Sequence, residues 1–287
     1  MNRPRKRFGQ HWLKSDRILQ RIAAAAALNG DAIGGDQVLE IGPGTGLLTQ
    51  LLVQQARAVV AVEVDRDLCR TLRKQFQGAA NFTLIEHDIL TLSDEAIAAP
   101  FGPVNKVVAN IPYYITGPIL ERLLGTIDRP ALTPYDALVL LVQKEVADRI
   151  CATPGSRAFG ALSARLQYLA QCELVCPVPA AAFSPPPKVE SAVVRLRPRP
   201  FSPQATDPAY LDRLLRQGFA AKRKMLRNNL SDIDRDRLLG ALGRVGASPE
   251  ARAEALSVAQ WVRLSNDLGN DLGNDLGDDL VQDFAGK

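Results

Sequence analysis

Val38-Leu-Glu-Ile-Gly-Pro-Gly-Thr-Gly46 is the stretch on which the fold turns. Val38–Ile41 reads as a buried strand, and glycines then stand at alternate positions, Gly42, Gly44 and Gly46. Glycine lets a backbone turn tightly and come close to a ligand, so a strand opening into such a turn is a ligand-site signal. Similar short apolar runs recur downstream at Val59-Val-Ala-Val62, Val107-Val-Ala109 and Leu138-Val-Leu-Leu-Val142, with helical stretches between them. Strands apolar throughout and alternating with helices indicate a parallel sheet covered on both faces, the doubly wound α/β pattern. Upstream, Ile22 and Leu28 bracket five alanines, which favour helix. A basic residue ahead of that run imitates an export leader, but the run is short and a strand unit follows at once.

Further along, Ser191-Ala-Val-Val-Arg-Leu196 reads as one last strand, and Pro198, Pro200, Pro203 and Pro208 mark a linker. From Asp207 to Leu264 the pattern is helical, with Leu211, Leu214, Leu215 and Phe219 at helical spacing and Ser248-Pro249 as a helix start. The organisation expected is an α/β domain over 1–201, a small all-helical domain over 202–265 and a tail over 266–287. That tail repeats Asn-Asp-Leu-Gly from Asn266, and its glycine content and one-sided charge predict disorder.

Composition narrows the function. The 287 residues are 46% hydrophobic and 23% charged, a globular balance. No apolar run is long enough to cross a membrane as a helix. Four cysteines do not make a disulfide scaffold, and Cys172 and Cys176 have no second pair or nearby histidine to complete a zinc site. No metal and a cytoplasmic setting are therefore expected. With only His11 and His87, a Ser-His-Asp mechanism has little to draw on. The net charge of +4 divides unevenly, +9 over 1–265 and −5 over 266–287. A basic body fits a polyanionic partner, although a solvated basic face is the ordinary alternative. The N-terminal arm Arg3-Pro-Arg-Lys-Arg7, Lys188 in the loop Phe183-Ser-Pro-Pro-Pro-Lys-Val189, and the cluster Lys222-Arg-Lys224 with Arg227 are the basic features. If that cluster is helical, Arg223 and Arg227 share a face and phosphate contact is the sharper reading.

Three strand-end features carry chemistry. Glu63 closes the second strand twenty-one residues after Gly42, a spacing that suits ribose hydroxyls. The glycine spacing departs from the dinucleotide pattern, and Glu40 stands just before it. An acidic rim suits S-adenosylmethionine, a cationic ligand without phosphate, better than a nicotinamide dinucleotide. Asp88 follows the apolar Phe82-Thr-Leu-Ile85 and could bond an adenine amino group, or could simply cap a turn. Asn110-Ile-Pro-Tyr113 ends another strand. There the Asn110 oxygen and the carbonyl of Ile111 or Pro112 could grip an exocyclic amine, Pro112 fixing the turn and Tyr113 stacking a base taken out of its helix. Phe183, on a stiff loop, could close the other face.

Together these segments identify the sequence as resembling the small-subunit ribosomal RNA adenine N6-dimethyltransferases. The resemblance runs from Arg5 to about Leu264. It includes Arg5-Lys-Arg-Phe-Gly-Gln-His-Trp-Leu13, Glu40–Gly46, Asn110–Tyr113, Gln143-Lys-Glu-Val146, Pro154–Gly160, Phe183–Val189, Lys222–Asn228, Arg252-Ala-Glu254 and Ser257-Val-Ala-Gln260. His11, Trp12 and Tyr114 stand where Asn, Phe and Asn or His are common in the family. The resemblance implies a Rossmann-like class I methyltransferase domain that transfers two methyl groups to each of two neighbouring adenines near the 3′ end of 16S rRNA. The partner would be the small subunit or its precursor, met by a monomer. It implies S-adenosylmethionine contacts at His11, Leu13, Gly42, Glu63, Asp88 and Asn110, with Gly44 in the same loop. It implies an adenine held on Asn110 and Pro112 between Tyr113 and Phe183. The alternatives are the same chemistry on 23S rRNA, as in the resistance branch, and an assembly factor whose catalysis is incidental; Pro154–Gly160 and Arg252–Gln260 favour the small-subunit branch.

Overall fold

The computed structural model describes residues 10–131 and 135–269. The N-terminal basic arm and the tail beyond Gly269 lie outside the described residues. Nine strands are present among them: β1 (Trp12–Leu13), β2 (Gln37–Ile41), β3 (Ala58–Glu63), β4 (Phe82–Glu86), β5 (Lys106–Asn110), β6 (Ala137–Gln143), β7 (Ala170–Val178), β8 (Phe183–Ser184) and β9 (Ser191–Pro198). Seven form one sheet in the order β4-β3-β2-β5-β6-β9-β7. The strands from β2 to β6 pair in parallel, and β9 runs antiparallel to β6. The doubly wound pattern is therefore borne out. The central strands are buried along nearly their whole length, as sheets covered on both faces require. A separate two-stranded ribbon joins β1 to β8, Leu13 opposite Phe183.

The connecting helices are α1 (Asp16–Ala26), α2 (Leu47–Gln55), α3 (Arg66–Gln75), α4 (Asp94–Ala98), α5 (Thr116–Leu124), α6 (Lys144–Ile150) and α7 (Ala161–Leu169). The alanine run is α1, which buries Ile18, Leu19, Ile22, Ala23 and Ala26 on one face. At the N-terminal ends of the central strands, the Lys106 ammonium lies 2.8 Å from Asp36, and the Asn105 amide donates to Asp36 and to Asp136. This network pins β2, β5 and the approach to β6 in register and leaves their C-terminal ends to the site.

Two compact units divide the chain, and their boundary differs from the one expected at residue 201. The first holds residues up to Gly125, Ala131–Asp148 and Gln171–Pro198. The second holds Thr126–Pro130, Arg149–Ala170 and the described residues from Arg199. The reason is burial: Ala152, Phe159 and Ala164 belong to the same apolar cluster as Leu211, Leu238 and Trp261. Helices α8 (Pro208–Gly218), α9 (Leu226–Asn229) and α10 (Arg235–Arg244) and a helix over 258–269 build this unit. Phe219 packs between Phe159 and Trp261, its ring 6.2 and 5.6 Å from theirs.

Two expectations change here. Ser248-Pro249 does not start a helix; its hydroxyl accepts from Glu250 N–H in a tight turn. The last helix begins instead at a capping box, where the Ser257 hydroxyl accepts from Gln260 N–H and the Gln260 side-chain Oε1 accepts from Ser257 N–H. The first tail repeat, 266–269, is helical rather than disordered. Leu268 is buried, Arg244 pairs with Asp267 at 2.7 Å, and the Asn266 oxygen accepts from Thr206 N–H. Burying one leucine and satisfying both polar neighbours outweighs the helix penalty of a terminal glycine.

Candidate active site

A cavity of about 240 Å³ opens at the C-terminal ends of β2, β3 and β5, where ligand sites of open α/β sheets lie. His11, Gly42, Gly44, Glu63, Asp88, Asn110, Pro112 and Tyr113 all line it. Most of the expected site is thus brought to one place by strand ends far apart in sequence. Gly42, Gly44 and Gly46 all take positive φ, at 69°, 58° and 82°. At Gly46 a side chain would also meet Leu72 and Phe76 at 3.0 Å, so the turn into α2 needs glycine on two counts.

Glu63 is buried beside this turn. Its carboxylate accepts from Gly44, Val64 and Asp65 N–H groups. Burial holds the carboxyl above its usual range, and those three donors offset part of the effect. A carboxylate offers about four acceptor positions, so one remains for a ligand hydroxyl. Asp88 is exposed at the rim, with Oδ1 accepting from Leu90 N–H. The turn it caps and the ligand contact read from the sequence are compatible, because among the described residues no donor reaches Oδ2.

Asn110 ends β5. Its amide nitrogen donates to the His11 carbonyl at 3.3 Å, and among the described residues no donor reaches Oδ1. The amide is thereby oriented with its acceptor free. Tyr113 begins a short 3₁₀ turn after Pro112, and its hydroxyl sits 2.6 Å from Ser191 Oγ. Burial lifts the phenol pKa, and the Ser191 contact lowers it in part. Ser191 has no local sequence signal; it reaches Tyr113 from β9, 78 residues away. Val64 and Tyr114, exposed at 46% and 60%, also line the cavity and add apolar surface that the strand-end motifs did not announce.

Two expected members are placed elsewhere. Phe183 is 1% exposed, in the apolar cluster with Leu13, Ile22 and Val193, and does not line the cavity. Its pairing opposite Leu13 sends the ring into the core. Leu13 is likewise buried and lines a smaller cleft on the far side of the glycine turn. Trp12, Glu40 and Asn110 share that cleft. Glu40 is buried, its Oε2 has no partner among the described residues, and burial pushes its pKa up to about 8, with the Thr49 hydroxyl pulling down and the Glu63 charge pushing up. The Trp12 indole N–H is also unpartnered. An orphaned buried acid at the glycine turn fits a ligand that carries an ammonium group.

The basic cluster is not helical. Lys222, Arg223 and Lys224 are exposed on a turn between α8 and α9, and only Arg227 lies in α9. The Asn229 amide donates to the carbonyls of Gly218 and Ala221 and so fixes this turn. Lys188 is exposed on the loop between β8 and β9.

A doubly wound sheet with a glycine turn, acids at two strand ends and an Asn-Ile-Pro-Tyr turn defines a Rossmann-like methyltransferase. Within that class the chain belongs to the ribosomal RNA adenine dimethylase family, whose model matches residues 1–269. It is 57% identical to the ribosomal RNA small subunit methyltransferase A of Acaryochloris marina over 93% of this chain and 98% of that protein. The corresponding protein of a Nostoc species is 56% identical with the same coverage. Among solved structures, a dimethyladenosine transferase from Plasmodium falciparum matches with TM-score 0.72 and 27% identity, over 90% of this chain and 98% of that one. The 23S rRNA methyltransferase ErmE matches with TM-score 0.71 and 28% identity, over 90% and 99%.

Proposed function

We propose that this chain transfers two methyl groups from S-adenosylmethionine to N6 of each of two neighbouring adenines near the 3′ end of 16S rRNA in the small subunit or its precursor. It does so as a cytoplasmic monomer, in which Lys188, Lys222, Arg223, Lys224 and Arg227 hold RNA phosphates. The observation that carries the reading is the Asn110 amide, held through its nitrogen by the His11 carbonyl with its oxygen left open.

An adenine N6 lone pair is delocalised into the ring. Asn110 Oδ1, with a backbone carbonyl of the Ile111–Pro112 turn, accepts the N6–H groups, draws the nitrogen toward a tetrahedral shape and aims its lone pair. Tyr113, tied back by Ser191, offers its face to the base. Glu63, with one acceptor position left, would take a ribose hydroxyl of the cofactor, Asp88 its adenine amine, and Glu40 its ammonium. When bound, S-adenosylmethionine supplies a methyl group whose bond to sulfur breaks as the N6 lone pair forms the new bond, while the N6 proton leaves to solvent. Holding donor and acceptor in near-attack geometry supplies most of the rate.

The likeness to ErmE equals that to the dimethyladenosine transferase, so the fold alone does not choose between subunits. What supports the small subunit is the set of relatives more than half identical over nearly full length, together with Pro154–Gly160 and Arg252–Gln260. The test is transfer from labelled S-adenosylmethionine to small subunits lacking the modification, beside intact large subunits and naked rRNA, with nucleoside analysis. N6-dimethyladenosine confined to the small subunit is the expected result. Label in large-subunit RNA would move the chain to the other branch. Subunit maturation that persists without any transfer would make it an assembly factor.

A further inference from the structure

We infer that Lys14, Arg17 and Arg21 form a phosphate track that takes up the RNA strand where it leaves the acceptor cavity. The inference rests on the reading of this chain as an RNA adenine methyltransferase, and it adds a contact within the α/β unit to the basic turn between α8 and α9. All three side chains are exposed. Lys14 follows closely on His11, which lines the cavity, and Arg17 and Arg21 stand one helical turn apart on one face of α1. The helix starts at the cavity end of the sheet, where Leu19 shares a cleft with Gly44 and Leu47. At its far end the Ala27 carbonyl accepts from Lys106 at the start of β5. The row therefore begins beside the mouth and runs away from it.

Strand β7 and the segment after it fix the row in place. The Lys14 N–H donates to the Ala182 carbonyl at 2.8 Å, and the Arg21 guanidinium donates to the Val175 carbonyl at 3.0 Å. Cys176, buried on the same strand, feels both helix cations: burial pushes its thiol up, and Arg21 and Arg17 pull it back. The acid of the helix turns the other way, Asp16 and Gln20 lining a cleft with Leu47 and Gln50 of α2. Glu173 on β7 is taken by Arg195 at 2.6 Å. Other cations of this unit are neutralised in the same manner, Arg73 by Glu86, Lys106 by Asp36 and Arg122 by Asp94. Among the described residues Lys14, Arg17 and Arg21 have no ion-pair partner. The carbonyl that steadies Arg21 leaves its charge and most of its donors open. A row of exposed cations beside the cavity fits a polyanion, and the target base brings one with it. A base taken into the cavity stays joined to its strand, so phosphates must cross the mouth on either side of it. An acidic peptide has no such tether.

The experiment uses the full chain and compares wild type with the double variant Lys14→Gln, Arg17→Gln and with the charge-keeping Arg17→Lys. Binding is measured over a salt series to an rRNA fragment that carries the two adenines with their flanking nucleotides, and to one trimmed to the adenines and their immediate neighbours. Each phosphate contact contributes about 0.7–0.9 to the slope of log K against log salt. Two lost contacts should flatten the slope by about 1.4–1.8 on the long fragment, and by less than half of that on the trimmed one. Arg17→Lys should keep the wild-type slope. With unmodified small subunits the double variant should raise KM while kcat and the Kd for S-adenosylmethionine hold. An unchanged slope and KM would show the row to be a solvated face and overturn the inference. Equal flattening on both fragments would also overturn it, by placing the contact at the adenines themselves. Intact RNA binding with weaker binding to whole small subunits would give the row to a protein partner instead. Wild type that transfers nothing to any rRNA substrate would sink the underlying methyltransferase reading, an outcome distinct from any difference in slope.

Discussion

Asn110 is the residue on which the chemistry turns, because its side-chain amide is fixed through its nitrogen by the His11 carbonyl and presents its oxygen to the amine. Asn110→Ala removes that acceptor without opening a buried void, since the side chain is only half-buried. Loss of one preorganised polar contact at a reacting centre costs about 10²–10³ in rate. Single-turnover methyl transfer should show a drop of that size, with the unfolding midpoint little changed. Glu40 makes a different prediction. Its carboxyl titrates near 8 in the folded protein against 4.5 for the free group. Between those values the native state keeps a proton that the unfolded chain gives up, so stability falls as pH rises. Glu40→Gln cannot ionise. Its stability relative to wild type should therefore improve by about 3 kcal/mol between pH 5 and pH 8, read by urea unfolding at each pH. A pH-independent gap would mean that Glu40 is charged throughout. Both residues were legible because each sits inside a run of neighbours with one meaning. Phe183 was not: its burial is set by pairing with Leu13, 170 positions away, and nothing in its own proline-rich neighbourhood records that partner.

At the scale of elements, the turn between α8 and α9 shows how far local pattern reaches. Of four basic residues within six positions, Arg223 and Arg227 read as sharing a helical face, yet Lys222, Arg223 and Lys224 sit on a turn. What the pattern could not reveal was Asn229, whose amide takes the carbonyls of Gly218 and Ala221 and lets α8 end. Asn229→Ala leaves both carbonyls without that donor, which costs about 1–3 kcal/mol. The variant should melt lower and bind RNA more weakly although no charge has been removed, and Asn229→Asp, which lacks the amide donor, should not rescue it. Strand β7 carries a weak local signal for a related reason. Its burial alternates only in part, and Cys172 and Cys176 drew notice as a cysteine pair rather than as alternate positions of a strand. The parallel strands were plain because apolar residues predominate in each. The ends of helices were harder, since Ser248-Pro249 and Ser257-Val-Ala-Gln260 both carry start signals and only the second is completed by a reciprocal bond.

For the whole molecule the governing quantity is charge. Residues 1–265 carry a net +9, and the cluster Lys222-Arg223-Lys224 is exposed. Cations that neutralise phosphates release counterions, so the affinity they contribute falls with salt, by a slope of about 0.7–0.9 per contact in a plot of log K against log salt. If all three side chains hold phosphates, replacing them with alanine should flatten that slope by about 2–3 and weaken binding to matched and unrelated RNA alike. Cofactor affinity should not move, because none of the three lines the cavity. The contrast with Tyr113 separates holding from recognition: Tyr113→Ala should leave the salt slope intact while reducing transfer, since stacking on a ring face is uncharged. Fluorescence anisotropy over a salt series, run on small-subunit rRNA fragments and on an unrelated RNA, distinguishes the two. An unchanged slope in the triple variant would show that the cluster is a solvated face, and the phosphate contacts would then have to be sought at Lys188 and along the rest of the basic surface.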